Sequence, residues 1–270
     1  MLVVTWNVNS LNARMDHLAA LIDSHAPDVI CLQETKCAEG KFPMLEVQSL
    51  GYDAADNNGG GREGVAILAK SSLGMKDITF ELDGNPRPDE ARWVEATVNG
   101  IRFCCVYVVN GRSLDHPVFS DKLEMLDRMA DRAQELVAAG PTVIAGDFNV
   151  APRDEDVYDP KAFEGATHTS ADERIRLQAM LDLGLKDAWD ATPLRGEHQY
   201  TWWDYRMGAF HKNKGLRIDL ALLTEDLAAG LSQVGIDREL RKNVNERGGI
   251  ALPAPAKPSD HAPLLVRFDV

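Results

Sequence analysis

The chain has 270 residues, is 44% hydrophobic and 26% charged, and carries a formal net charge of −13. That balance is unlike a disordered or membrane-spanning polymer, and the acidity weighs against a protein that coats polyanions through a broad basic face. It leaves nucleic acid open, because a divalent cation or a local group of Arg and Lys can dominate a single cleft.

Short apolar runs alternate with amphipathic stretches. Strands are predicted at 2–6, 28–33, 64–69, 92–98, 101–109, 142–146, 217–223 and 262–268, each near the usual strand length. Helices are predicted at 14–25, with Met15, Leu18, Ile22 and His25 on one face, and at 117–139, with Phe119, Leu123, Leu126, Ala130, Ala133 and Val137. A third, at 171–183, should bury Ile175, Leu177, Met180 and Leu181. Gly140-Pro141 stops the second helix. Loops are expected at 57–64, 83–91, over most of 151–170 and at 248–258, and none reads as an interdomain linker. One α/β domain spanning 1–270 is therefore expected.

Four cysteines, Cys31, Cys37, Cys104 and Cys105, form no CxxC, and three lie in apolar runs where free cysteine acts as a small hydrophobe. This points to a reducing compartment. "MLVVTWNVNS" enters a strand pattern at once, and no apolar run reaches the ~20 residues of a membrane helix. The expectation is a cytoplasmic monomer without a membrane partner.

Polar residues then fall in a pattern. Asn7 follows "LVVTW", Glu34 follows "VICLQ", Tyr107 ends "RFCCVY", and Asp147 and Asn149 follow "TVIAG". "LRI" runs into Asp219, and Asp260 and His261 precede "APLLVRF". Any one of these is a turn or cap; together they fit strand ends meeting at one sheet rim, where sites are commonly built. Glu34, Asp147, Asp219 and Asp260 would be four mutually repelling carboxylates, and a hard divalent cation relieves that repulsion. An oxygen-rich set with amides favours Mg²⁺ or Mn²⁺ over zinc, and Mg²⁺ chemistry is usually phosphate chemistry. His261 needs an orienting acid. Asp260 is adjacent and points elsewhere, so Asp219 is the better partner, and with Asp147 nearby the pair suits acid–base work on a water.

In this order, "TWNVNS", "QETK", "AGDFNVAP", "YTWWDYR", "GLRIDLALL" and "KPSDHAPLL" resemble the exonuclease III family of apurinic/apyrimidinic (AP) endonucleases over essentially the whole chain. The wider superfamily of deoxyribonucleases and inositol-polyphosphate phosphatases shares the Glu, Asp-x-Asn and Ser-Asp-His parts; "WWDYR" before "GLRID" narrows the match to DNA repair. The resemblance implies a four-layer α/β sandwich, two packed mixed sheets flanked by helices. It implies a Mg²⁺-dependent nuclease, with Mn²⁺ able to substitute, that acts on double-stranded DNA at abasic sites and 3′ ends. Its activities would be cleavage 5′ to abasic sites, 3′→5′ exonuclease and 3′-end cleaning.

By position, the resemblance makes Glu34 the principal metal ligand, in a set with Asn7, Asp147, Asn149, Asp260 and His261. Asp147 is the general base or the protonated group serving the leaving oxygen. Asn149 orients the nucleophile or phosphate, Tyr107 and Asn110 contact the phosphate, and His261, held by Asp219, stabilises the transition state or assists the water. Trp202 packs on the extruded abasic sugar, and one of Trp202 and Trp203 is expected to be a core residue. Arg206, Lys212, Lys214 and Arg217 are the expected DNA-binding cations, with Arg62, Arg92 and Arg112 as lesser candidates. Departures from the family are Val109, Glu63 and His168, the last in a loop that bears on tolerance of different DNA ends. The alternative is a phosphoesterase of the same superfamily acting on an inositol phosphate or sphingolipid, for which no headgroup-binding loop is visible. A DNA-binding module without catalysis is harder to reconcile with Glu34, Asp147 and His261.

Overall fold

The structure, a computed structural model, describes residues 1–196, 198–247 and 249–269. In chain order the strands and helices are β1 (Leu2–Asn7), α1 (Met15–His25), β2 (Val29–Gln33), α2 (Met44–Ser49), β3 (Tyr52–Asn57), β4 (Val65–Lys70), β5 (Lys76–Thr79), β6 (Trp93–Val98) and β7 (Ile101–Tyr107). They continue with α3 (Pro117–Ala139), β8 (Thr142–Asp147), α4 (Ala171–Asp182), β9 (Lys186–Asp187), β10 (Asp219–Leu223), α5 (Glu225–Ala229), β11 (Leu231–Ile236), β12 (Val244–Arg247), β13 (Ile250–Ala256) and β14 (Leu264–Phe268).

Alternation of side chains builds the layers. In β1, Val3 faces inward, meeting Cys31 and Ile67 of its own sheet and Phe103, Cys105 and Val143 of the second sheet. Val4 and Trp6 face outward, where Leu18 and Leu21 of α1 and Val47 of α2 cover them. On the far side, Cys104, Val106, Ile144 and Leu220 pack under Met125 and Met129 of α3 and Leu177 and Met180 of α4. Helix, sheet, sheet, helix is the expected four-layer α/β sandwich. The sheet orders are β11-β14-β1-β2-β4-β3 and β5-β6-β7-β8-β10-β9, and β12 and β13 form a separate hairpin.

Register brings the polar strand ends together. β1 and β2 are parallel with Asn7 opposite Gln33, and β7 and β8 are parallel with Tyr107 opposite Asp147. β10 runs antiparallel to β8, with Asp219 opposite Asp147.

The eight predicted strands all form, with shifted ends: β7 stops at Tyr107 and β10 starts at Asp219. Expected as loop, 248–258 instead contains β13, and β3, β5, β9, β11 and β12 were not foreseen. β3 and β11 are sheet edges and β5 is largely exposed, so these segments lack the continuous apolar pattern of a central strand. Helix faces are rotated from the predicted ones. α1 buries His17, Leu18 and Leu21. In α4 Ile175 is 64% exposed, and Glu173 takes the inward position with Leu177 and Met180. The reason is the capping box at the start of α4: Ser170 Oγ accepts from Glu173 N at 3.3 Å and Glu173 Oε2 accepts from Ser170 N at 3.0 Å, which fixes Glu173 inward. In α3 Lys122 lies on the buried face, displacing the expected line through Leu123, Ala130 and Val137.

Candidate active site

Asp147 ends β8, and Phe148 turns into the core. Asn149 then adopts a left-handed backbone (φ 52°), its N–H donating to Asp147 Oδ1 at 2.9 Å. Glu34 (φ 52°), Lys36 (φ 52°) and His168 (φ 79°) share this conformation, which non-glycine residues hold only where their surroundings over-determine it. Such strain is common at functional sites.

The acidic centre is compact. One ligand atom each from Glu34, Asp147 and His261 lies within 4.8 Å of the others. Asn7 donates through Nδ2 to Glu34 Oε1 at 2.8 Å and to Asp147 Oδ2 at 3.0 Å, while its Oδ1 accepts from Asn9 N at 3.0 Å. Asn7 thus presents N–H rather than oxygen to the two carboxylates. His261 Nδ1 meets Asp219 Oδ2 at 2.8 Å, which leaves Nε2 facing Asp147 Oδ2 at 3.9 Å. The expected Asp219–His261 pairing is present. Asp260 lies one residue away, accepting from Asn9 Nδ2 at 2.9 Å and Trp202 Nε1 at 3.2 Å.

Burial, the Asp219 charge and, to a smaller extent, Glu34 push the Asp147 carboxyl up to about 7, against the pull of His261 and Asn7. Burial alone would lower His261, but Asp219, then Asp147 and Asp260, outweigh it and push the imidazole up to about 10. Burial also opposes ionisation of Asp260, yet His261 with the Asn9 and Trp202 hydrogen bonds holds that carboxyl below its ordinary range. The phenol of Tyr107 is raised well above its ordinary value by burial, then by Glu34 and Asp147. Asp219 Oδ1 is buried without a hydrogen-bond partner among the described residues. Crowded carboxylates, one of them pushed upward by its neighbours, form an oxygen-rich set that fits a hard divalent cation.

On the other side of Asp147, Asn149 Nδ2 donates to Val108 O at 2.9 Å and its Oδ1 accepts from Asn110 Nδ2 at 3.2 Å. His168 Nδ1 lies 2.6 Å from Asn149 O. Burial and the Lys122 charge lower His168 to about 4, so this ring is neutral. Val109 is buried, Glu63 half-buried, and Arg62 and Arg112 exposed.

Trp202 borders an open cavity of about 450 Å³ lined by Tyr158, Phe163, Arg206, Lys212 and Lys214. Trp203 is fully buried, so the adjacent tryptophans divide into a cavity residue and a core residue. Arg206, Lys212 and Lys214 are exposed, Arg206 being paired with Asp204 at 3.1 Å. Arg217 must be corrected: it is 0% exposed, with Nε on Asp156 Oδ1 at 2.7 Å, Nη2 on Asp156 Oδ2 at 3.0 Å and Nη1 on Asp187 Oδ2 at 2.6 Å. It ties the segment at Asp156 to the end of β9 at Asp187 and has no exposed surface to offer a DNA backbone. Arg92 is likewise buried, paired with Glu90 at 2.5 Å and lying 4.6 Å from the Tyr107 ring centre.

Sequence reasoning passed over Asn9, Lys36, Lys122, Glu173 and Ser259. Lys36 pairs with Glu34 Oε2 at 2.8 Å and donates to Asn9 Oδ1 at 2.6 Å. Ser259 Oγ donates to Asn7 O at 2.7 Å and accepts from His261 N at 3.2 Å. Lys36 and Ser259 stand inside "QETK" and "KPSDH", so the signal was there to be read.

Comparison with known proteins agrees with this geometry. The profile of the "Endonuclease/Exonuclease/phosphatase family" matches residues 4–261. Exodeoxyribonuclease III of Haemophilus influenzae is 30% identical over 98% of both chains. A Neisseria 3′ phosphatase, solved with a product DNA hairpin, superposes with a TM-score of 0.90 at 37% identity, each chain covered in full. An AP endonuclease from Archaeoglobus fulgidus gives 0.89 at 32% identity, again over both whole chains. With its rim of carboxylates and paired imidazole on two packed sheets, the chain belongs to the endonuclease/exonuclease/phosphatase family, in its exonuclease III branch of metal-dependent nucleases.

Proposed function

We propose that the chain is a Mg²⁺-dependent DNA-repair nuclease that hydrolyses the phosphodiester 5′ to an abasic site and also works at 3′ ends, as exonuclease and as remover of 3′ blocking groups. The observation that carries this is the convergence of Glu34, Asp147 and His261 within 4.8 Å, beside a tryptophan tied to Asp260. The 3′-end part draws further support from the Neisseria 3′ phosphatase, and the abasic part from the Archaeoglobus AP endonuclease.

Glu34, Asp147 and Asp260 would hold the cation, with Asn7 fixing the first two. Mg²⁺, when bound, supplies a Lewis acid and template for a phosphate oxygen. Asp147, pushed up to about 7 in the cation-free site, is placed to accept a proton from the attacking water and to return it to the 3′ oxygen whose bond to phosphorus breaks. His261, kept protonated by Asp219, donates from Nε2 to the phosphate oxygen that gains charge. Tyr107, Asn110 and Asn149 contact the same phosphate. Trp202 offers an apolar face to the abasic sugar, and extrusion costs least where no base is stacked. Lys212 and Lys214 supply local positive charge on an acidic protein.

Purified protein on an abasic duplex with Mg²⁺ should give one nick 5′ to the lesion and a 3′-hydroxyl. EDTA and Asp147→Asn should each abolish it. Cleavage that survives either treatment would sink the scheme.

A further inference from the structure

We infer that Lys122 and Glu173, a buried ion pair on α3 and α4 that makes no direct hydrogen bond to the carboxylate rim, form a positioning device for the phosphate-facing half of the site. Both side chains are 0% exposed. Lys122 Nζ, with its three N–H groups shared among four acceptors, lies 2.7 Å from Asn149 O, 3.2 Å from Asn110 O and 3.0 Å from Thr167 Oγ1 and meets the Glu173 carboxylate. Glu173 accepts in turn from His168 N at 2.9 Å and Ser170 N at 3.0 Å. One ammonium therefore gathers three loops: the one after β7, the one after β8 and the one before α4.

Those loops carry Asn110, Asn149 and His168: Asn110 Nδ2 lies 3.2 Å from Asn149 Oδ1 and 3.4 Å from His168 Nε2, and His168 Nδ1 lies 2.6 Å from Asn149 O. Asn149 and His168 are the two left-handed residues among them, a backbone that Asn tolerates and that costs more for His. Apolar side chains could fill the same volume at similar stability. They would bring no donor to the carbonyls of Asn110 and Asn149, so the charge is explained by geometry rather than by packing. None of the pair's hydrogen bonds reaches Glu34, Asn7, Asp147 or Asp260, and the one cation ligand it touches at second hand is Asp147, through the Asn149 N–H, so its influence falls first on the phosphate contacts.

This rests on reading Asn110 and Asn149 as phosphate contacts, so the test includes a readout that needs no DNA. Lys122→Met leaves Glu173 buried and unpaired and should lower the thermal midpoint. Lys122→Met/Glu173→Gln carries no unpaired buried charge and should recover most of that loss. At a temperature where all three proteins are folded, the double variant should keep kcat on abasic duplex at least ~10-fold below the parent. Its KM and Mg²⁺ affinity, the latter by calorimetry, should be unchanged. In heteronuclear NMR spectra the Asn110 and Asn149 side-chain amide signals should move or broaden while that of Asn7 stays. A double variant with parental kcat and unmoved Asn110 and Asn149 amides overturns the inference, as does loss of Mg²⁺ affinity matching the loss of kcat. If the parent itself fails on abasic DNA, the functional reading falls, and the amide signals still decide the positioning role.

Discussion

Arg217→Met separates a structural from a DNA-binding arginine. The guanidinium makes three hydrogen bonds to Asp156 and Asp187 in a fully buried setting. Removing one partner of such a cluster leaves uncompensated charge and costs roughly 3–5 kcal/mol, a large part of a typical ~5–15 kcal/mol total. With a urea slope near ~3 kcal/mol/M, the unfolding midpoint should fall by about 1–2 M. Burial opposes ionisation of Asp156, but Arg217 holds its carboxyl below the usual range. A depressed carboxylate contributes stability above its unfolded pKa that is lost as pH falls, so the gap between variant and parent should narrow below about pH 4. Asp187 is lifted because burial exceeds the help from Arg217, and losing the arginine lifts it further. The assay is urea unfolding at pH 7 and at about pH 3, with DNA affinity in EDTA measured on the folded protein. Unchanged stability together with weakened DNA binding would show that Arg217 faces the nucleic acid and refute the assignment.

Lys212→Gln/Lys214→Gln, both exposed beside the Trp202 cavity, should leave unfolding untouched but reduce the slope of log affinity against log salt by about 1.8, near 0.9 per lost phosphate contact; an unaltered slope would remove them from the interface. Asp219→Asn should lower kcat by roughly 10²–10⁴. The His261 imidazolium, present below its raised pKa and lost above it, would lose its largest favourable partner, so the alkaline limb of the pH–rate profile should move from about pH 10 toward neutrality. A limb that stays in place argues that the pair does not act in catalysis.

Reading the fold from the sequence succeeded where burial is two-sided. β1, β2, β8 and β10 are continuous apolar runs because both faces are covered, and their ends were placed within two residues. β11, with its exposed Ser232 and Gln233, and β13, with Pro253 and Pro255, carry no such run; pairing with β14 and β12 respectively decides them, and pairing is not a local property. The existence of α1, α3 and α4 was equally plain, but the short α2 and α5 were not foreseen, and helix rotation was not legible. A hydrophobic tally cannot anticipate that His17, Lys122 and Glu173 turn inward, because each becomes tolerable only when a distant backbone carbonyl or countercharge meets it: Lys242 O, Asn149 O and Lys122.

The same reasoning explains why the rim was legible and its supports were not. Asn7, Glu34, Asp147, Asp219 and His261 violate local pattern, being polar groups at the ends of apolar strands, and violations with no local explanation are what sequence inspection detects. Arg217 violates it too, standing next to "IDLALL", but its place in the basic run "HKNKGLR" sent it to DNA. What separates Arg217 from Lys212 and Lys214 is the position of Asp156, 61 residues away along the chain, and no spacing rule encodes that distance. A charge in an apolar neighbourhood thus signals that a partner exists without saying whether the partner is substrate or protein. Only the three-dimensional count of compensating oxygens decides: Arg217 has three hydrogen bonds to carboxylates and full burial, whereas the carboxylate rim has Asp219 Oδ1 without a hydrogen-bond partner among the described residues and Asp147 pushed up to about 7. The pocket that still needs a positive charge is the one built to receive something.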